Sequence, residues 1–152
     1  MNNHEDAWKV ALHILGRCSY SEYELRQKLQ QKGYVIEEID DVINRLLTYD
    51  YINDKKLAKN LFQKYLQVNK YSFNNIICKL KQHGLSDDII KDITSTYDSE
   101  AEWSSALKIV NNRFKSFDGI TKEKIYRFLA TRGFSTSIIH RVSQQIFDGE
   151  IE

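Results

Sequence analysis

Apolar side chains recur along this chain at spacings of three and four. Trp8, Ala11, Leu12 and Leu15 make one such stripe, and Ile39, Val42, Ile43 and Leu46 make another. Leu57, Ala58, Leu61 and Tyr65 form a third, and Trp103, Leu107, Val110 and Phe114 a fourth. These offsets gather apolar groups on one face of an α-helix and leave the other faces to water. No stretch alternates with period two, so no strand is expected. There is no proline and there are only 6 glycines, which also argues against an all-β chain rich in tight turns. The fold class predicted is all-α.

The pattern also repeats over a longer distance. "ELRQKLQQKGYVIEEIDDV" at 24–42 returns as "NIICKLKQHGLSDDIIKDI" at 75–93 and as "KIYRFLATRGFSTSIIHRV" at 124–142. Ser21, Ser72 and Thr121 each precede the repeat glycine by the same distance, and each can accept a hydrogen bond from the free N–H groups of the helix it begins. Ser21 with Glu24, and Ser99 with Glu102, have capping-box spacing. Gly33, Gly84 and Gly133 then end those helices, where a left-handed residue costs glycine least. Lys32, His83 or Arg132 stands before each glycine and complements the C-terminal helix dipole. Leu29, Leu80 and Leu129 share one place before each glycine and are predicted to be core. A further helix is expected ahead of each capping residue, near 6–16, 54–69 and 99–114. The chain, 1–152, is thus predicted to hold three tandem three-helix, helix-turn-helix-like repeats, at about 6–49, 50–98 and 99–147. A period of this size predicts an elongated, curved array of either hand, whose neighbours stack to complete each other's cores.

Charge is close to balanced, with 22 basic and 21 acidic residues, but it is unevenly placed. Residues 1–50 carry six Lys/Arg against nine Asp/Glu, a net −3. Residues 51–102 carry eight against seven, and 103–147 carry eight against two, a net +6. A basic third repeat can offer phosphate contacts, or can be a solvated face with no partner. The N-terminal "MNNHEDAW" lacks the basic-then-apolar order of a signal peptide, and no run is long and apolar enough to span a membrane. Cys18 and Cys78 are far apart and read as buried or half-buried thiols in a reducing, cytoplasmic setting.

Catalytic chemistry finds little footing. His4, His13, His83 and His140 share no metal-ligand spacing, and no nucleophile elbow, zinc-helix motif or phosphate loop occurs. Glu37-Glu38, Asp40-Asp41 and Asp87-Asp88 fall in early helix turns, where they complement the dipole. No enzyme activity, metal or cofactor is expected.

Three segments together resemble the RecX family, whose members modulate the RecA recombinase. "SEYELRQKLQQKG" (21–33) is similar to the family's first-repeat pattern of Ser, Glu-Leu, Leu and Lys-Gly. "YDYINDKKLAKNLF" (49–62) resembles its junction into the second repeat, with Asp50 in place of a glycine and Leu57 in place of an aromatic. "KIYRFLATRGF" (124–134) is close to its third-repeat pattern. The resemblance implies a small cytoplasmic, non-enzymatic protein that lies in the groove of the RecA–single-stranded DNA filament. It implies restraint of strand exchange, ATP hydrolysis and coprotease activity in recombinational repair and the SOS response. The family's basic run before its second Ser- or Pro-led helix falls here on "QVNKYSFNN", with Lys70 and Tyr71 only, so protein contact is favoured over direct DNA contact in the first two repeats.

The expected contacts are basic residues on the glycine-terminated helices: Lys28, Lys32, Lys79, Lys81, Lys124, Arg127 and Arg132. Each alone reads as a solvated charge, so the set carries the expectation. The repeat pattern is read as that of a monomer, and the near-neutral charge predicts weak or no sequence-specific DNA binding. The alternative is an independent helix-turn-helix-like DNA-binding regulator. The third helices, however, offer only Arg45, Lys91 and Arg141 for reading a groove.

Overall fold

The structure is a computed structural model that describes residues 6–149; His4 and the rest of residues 1–5 lie outside it, as do residues 150–152. The described residues form nine helices and no strand. They are α1 (Ala7–Leu15), α2 (Glu22–Gln31), α3 (Ile36–Thr48), α4 (Asp54–Gln67), α5 (Phe73–Gln82), α6 (Asp87–Thr94), α7 (Ser99–Arg113), α8 (Lys122–Ala130) and α9 (Thr136–Phe147).

Local chemistry sets these boundaries. Ser21, Ser72 and Thr121 accept from the N–H of Glu24, Asn75 and Lys124, and Glu24 returns a bond to the Ser21 N–H. Asp6 and Asn53 start α1 and α4 in the same way, and Ser86 and Ser135 start α6 and α9. The expected capping box at Ser99 and Glu102 does not form. Asp98 is the cap of α7, accepting from the Ala101 N–H, so Ser99 is already helical and Glu102 is free to act elsewhere. Gly33, Gly84 and Gly133 have φ of 91°, 73° and 84°, a left-handed turn that lets the chain reverse into the next helix.

Helices α1–α3, α4–α6 and α7–α9 each wrap an apolar core of their own. Leu25, Leu29, Ile43 and Leu46 are fully buried in the first, Ile76 and Leu80 in the second, and Ile125, Leu129 and Val142 in the third. Each burial is worth about 1.5–3 kcal/mol relative to exposure. Every unit also buries one alanine of its first helix completely, Ala11, Ala58 or Ala106, at a place where a larger side chain would hold the helices apart. Contrary to the expectation that neighbours complete each other's cores, the three apolar clusters are separate. Three helices suffice to cover one core, which leaves polar groups to join the units.

The joins follow one plan. The start of α2 docks on the α4–α6 unit: Ser21 Oγ donates to the His83 carbonyl, Glu24 Oε1 lies 2.8 Å from His83 Nδ1, and the Glu22 N–H donates to Asp54 at 2.9 Å. The start of α5 docks on the α7–α9 unit: Asn75 donates to the Arg132 carbonyl at 2.6 Å, and the Phe73 N–H donates to Glu102. Burial raises the pKa of both Asp54 and Glu102, with the donated N–H opposing it. The covering helix start seals each glycine turn. A Cβ on Gly84 would run into the Tyr23 ring, and one on Gly133 would come within 3.0 Å of Ser72 Oγ. Ser21 and Ser72 are accordingly fully buried. The chain exposes 10048 Å², whereas a compact 17.9 kDa protein exposes about 8,000 Å². Cys18 and Cys78, expected to be at least half buried, are both exposed. Cys18 follows α1 in a turn, and Cys78 lies on the face of α5 turned away from Ile76 and Leu80.

Candidate docking surface

The candidate cations sit on or just after the second helix of each unit, and their surroundings differ. Lys28 lies two helical turns beyond the Ser21 cap, so its stem reaches back along one face. Its Nζ sits 4.7 Å from the centre of the Tyr20 ring. Lys79 occupies the matching place in α5 and lies 4.5 Å from the centre of the Tyr71 ring. The same cation–π pair is therefore built twice, each worth about 0.5–1 kcal/mol where exposed. The third unit places Phe128 at that position, and Arg132 stacks on it at 3.8 Å.

Two of the seven cations have partners within the chain. Lys81 pairs with Asp87 at 2.9 Å, and that bond raises its pKa. Arg132 stacks on Phe128 and donates to the Phe128 carbonyl at 3.0 Å, while its own carbonyl accepts from Asn75. Lys32 ends α2 and is exposed. Lys124 and Arg127 are exposed on α8, where Arg127 lines a shallow cavity of about 410 Å³ with Lys122, Tyr126 and His140. Glu123 beside them is held below the usual carboxylate range by its own backbone N–H, then by Thr121, with Arg127 adding attraction.

Lys28 and Lys32 come together in a cavity of about 570 Å³ between α1 and α2, where His13 and Arg17 join them. Arg17 Nη2 lies 3.3 Å from His13 Nε2. His13 and Arg17 were absent from the sequence expectation. Their signal was a four-residue spacing across the end of α1, which the turn after that helix preserves as a side-by-side pair. The structure thus gathers the candidates in three places, one per unit, rather than into a single patch.

Of the three third-helix cations, two are committed within their own units and only Lys91 of α6 stands exposed for groove reading. Arg45 stacks over Trp8 at 4.1 Å and faces Asp41 at 3.9 Å. Arg141 stacks over Trp103 at 4.2 Å and pairs with Glu100 at 2.8 Å. Among the described residues no helix is long and apolar enough to cross a membrane, and no three His, Cys, Asp or Glu are grouped to hold a metal ion.

Residues 7–46, the α1–α3 unit less its last turn, match the family described as "RecX, first three-helix domain". The regulatory protein RecX of Pasteurella multocida is 33% identical over 134 residues, which span 84% of this chain and 80% of that protein. The chain belongs to the RecX family. The regulatory protein RecX of Clostridium botulinum (strain Eklund 17B) is 32% identical over 149 residues, 94% of this chain and 69% of that protein. The crystal structure of RecX from Lactobacillus salivarius superposes with a TM-score of 0.76 at 23% identity, over 92% of this chain and 94% of that one. It shares the all-helical, three-repeat fold. The RecX relatives are named as regulatory proteins, and the family is not an enzymatic one.

Proposed function

We propose that this RecX-family chain binds the RecA–single-stranded DNA filament in the cytoplasm and restrains its recombinase, ATPase and coprotease activities. The observation that carries the reading is the repeated second helix, with its Tyr–Lys pair built identically in the first two units. A protein filament is itself periodic, and an extended array with one contact site per unit can touch successive subunits. Weak contacts then reinforce one another through effective concentration. Lys28, Lys32, Lys79, Lys124 and Arg127 are the side chains best placed for this. Lys81 and Arg132 act first within the fold.

The alternative, an independent DNA-binding regulator, loses support from Arg45 and Arg141, which are each committed to a tryptophan and a carboxylate of their own unit. A near-neutral chain also gains little from counterion release on naked DNA. A gel-shift comparison separates the two. The reading expects retention on RecA-coated single-stranded DNA at concentrations that leave naked DNA unshifted. Equal or stronger binding to naked DNA overturns it.

A further inference from the structure

The array has an unused joint at its beginning. In both internal joins, a helix start carrying a serine cap seals the glycine turn of the next unit. The third residue of that helix inserts a polar side chain beside the cap: Glu24 onto the His83 ring, Asn75 onto the Arg132 carbonyl. Gly33 closes the same turn in the first unit, yet it is exposed and a Cβ built on it would meet nothing within 4 Å. Lys32 stands where His83 stands one repeat later.

The cavity of about 570 Å³ opens beside this turn. His13, Arg17, Lys28 and Lys32 line it, and no carboxylate does. This surplus of cations sits within residues 1–50, whose net charge is −3, so it is a local arrangement rather than a general basic surface. At the corresponding place in the second unit, the Glu24 carboxylate lies against His83, and burial, then Tyr71, then Glu24 raise the pKa of Tyr65. Tyr65 in turn contacts His83 Nε2 at 3.2 Å.

We propose that the Gly33 end is a socket for the first turn of an acidic helix in a partner protein. That helix would have Ser or Thr at its cap and Glu or Asp within its first turn. The capping hydroxyl donates to the Lys32 carbonyl as Ser21 does to that of His83, and the carboxylate enters among Arg17, Lys28 and Lys32. A second copy of this chain is a poor occupant. Its free helix start, at Thr121, presents Lys124 where Glu24 and Asn75 stand in the filled joints, and that lysine would face the socket's own cations. The inference goes beyond the filament reading and does not depend on it.

The test uses the full-length chain and a fluorescein-labelled peptide of residues 20–31, held helical by a side-chain lactam in its last turn. Fluorescence anisotropy should show saturable binding. Binding should weaken by about ten-fold or more for the double reversal Lys28→Glu with Lys32→Glu, for Arg17→Glu alone, and for a peptide carrying Glu24→Lys. Circular dichroism checks that each protein variant stays folded. No binding to the wild-type chain overturns the proposal, as does undiminished binding to the reversed variants. Binding of oligodeoxythymidylate that the reversals abolish and the peptide fails to displace would make the cavity a phosphate site, and would also overturn it.

Discussion

The two joints between units share a scaffold and differ in their side chains. The first uses an ionisable set, with Glu24 on His83 and Asp54 under the Glu22 N–H. The second replaces the glutamate with an amide, Asn75, which bonds the Arg132 carbonyl and needs no partner ring. Both keep the buried serine cap, the left-handed glycine and a carboxylate from the next unit's first helix. The comparison teaches that helix capping is the constant element of this array. The cap that starts one helix also locks the end of another, and the charge chemistry laid over it can vary.

If the units are independent cores joined by polar contacts, truncating the equivalent leucines should not distinguish the joints. Leu29→Ala, Leu80→Ala and Leu129→Ala should each cost about 2–5 kcal/mol in denaturant unfolding. A cost under about 1 kcal/mol at any of them would show that the three cores are not equivalent. The glycines should separate filled from open turns more sharply. Gly33→Ala carries only the left-handed backbone cost of about 1–2 kcal/mol, because nothing covers it. Gly84→Ala should lose about 1–3 kcal/mol more, since its methyl meets the Tyr23 ring. Equal losses would mean that the first joint yields freely.

The caps give a smaller contrast. Thr121→Ala removes one capping bond, at a cost of about 1 kcal/mol. Ser21→Ala also removes the hydroxyl donated to the His83 carbonyl, and should cost about 1 kcal/mol more. The smallest effect belongs to Asp54, whose pKa is raised by burial. A carboxyl of that kind adds stability in acid, and the contribution is lost as pH rises through the folded value. Asp54→Asn keeps an oxygen for the Glu22 N–H and removes the charge. Its stability relative to wild type should therefore improve as pH rises from the ordinary carboxylate range towards neutrality. A relative loss over that range would show that Asp54 gains more from its bonds than burial costs it.

Much of this fold was legible in the sequence, for local reasons. Serine caps, glycine turns and apolar offsets act within one helix or between adjacent ones, so the order and positions of the helices followed from spacing alone. The misplaced start of α7 has the same local origin, because Asp98 and Ser99 are both good caps and lie side by side. The joints were not legible. Glu24 with His83, and Asn75 with Arg132, are separated by 59 and 57 residues. Each also has an adequate role within its own helix, Glu24 in a capping box and Arg132 stacked on Phe128. Of the candidate contacts, Lys28 and Lys79 fell at equivalent, tyrosine-backed places because repeat position fixes them. Lys81 and Arg132 did not stand free, because Asp87 of the next helix pairs with Lys81 and Phe128 of the same unit holds the Arg132 guanidinium.

The account turns on whether the exposed cations of the array engage a periodic protein partner. The most direct measurement is the rate of ATP hydrolysis by RecA on single-stranded DNA, titrated with wild-type protein and with Lys124→Glu combined with Arg127→Glu. Arg132 is left intact because the third unit's turn rests on it. The account predicts that wild type suppresses hydrolysis and that the folded double variant needs a markedly higher concentration for the same suppression. Suppression by the variant equal to wild type would remove the third unit from the docking surface. A wild-type chain without effect at any concentration would contradict the account as a whole.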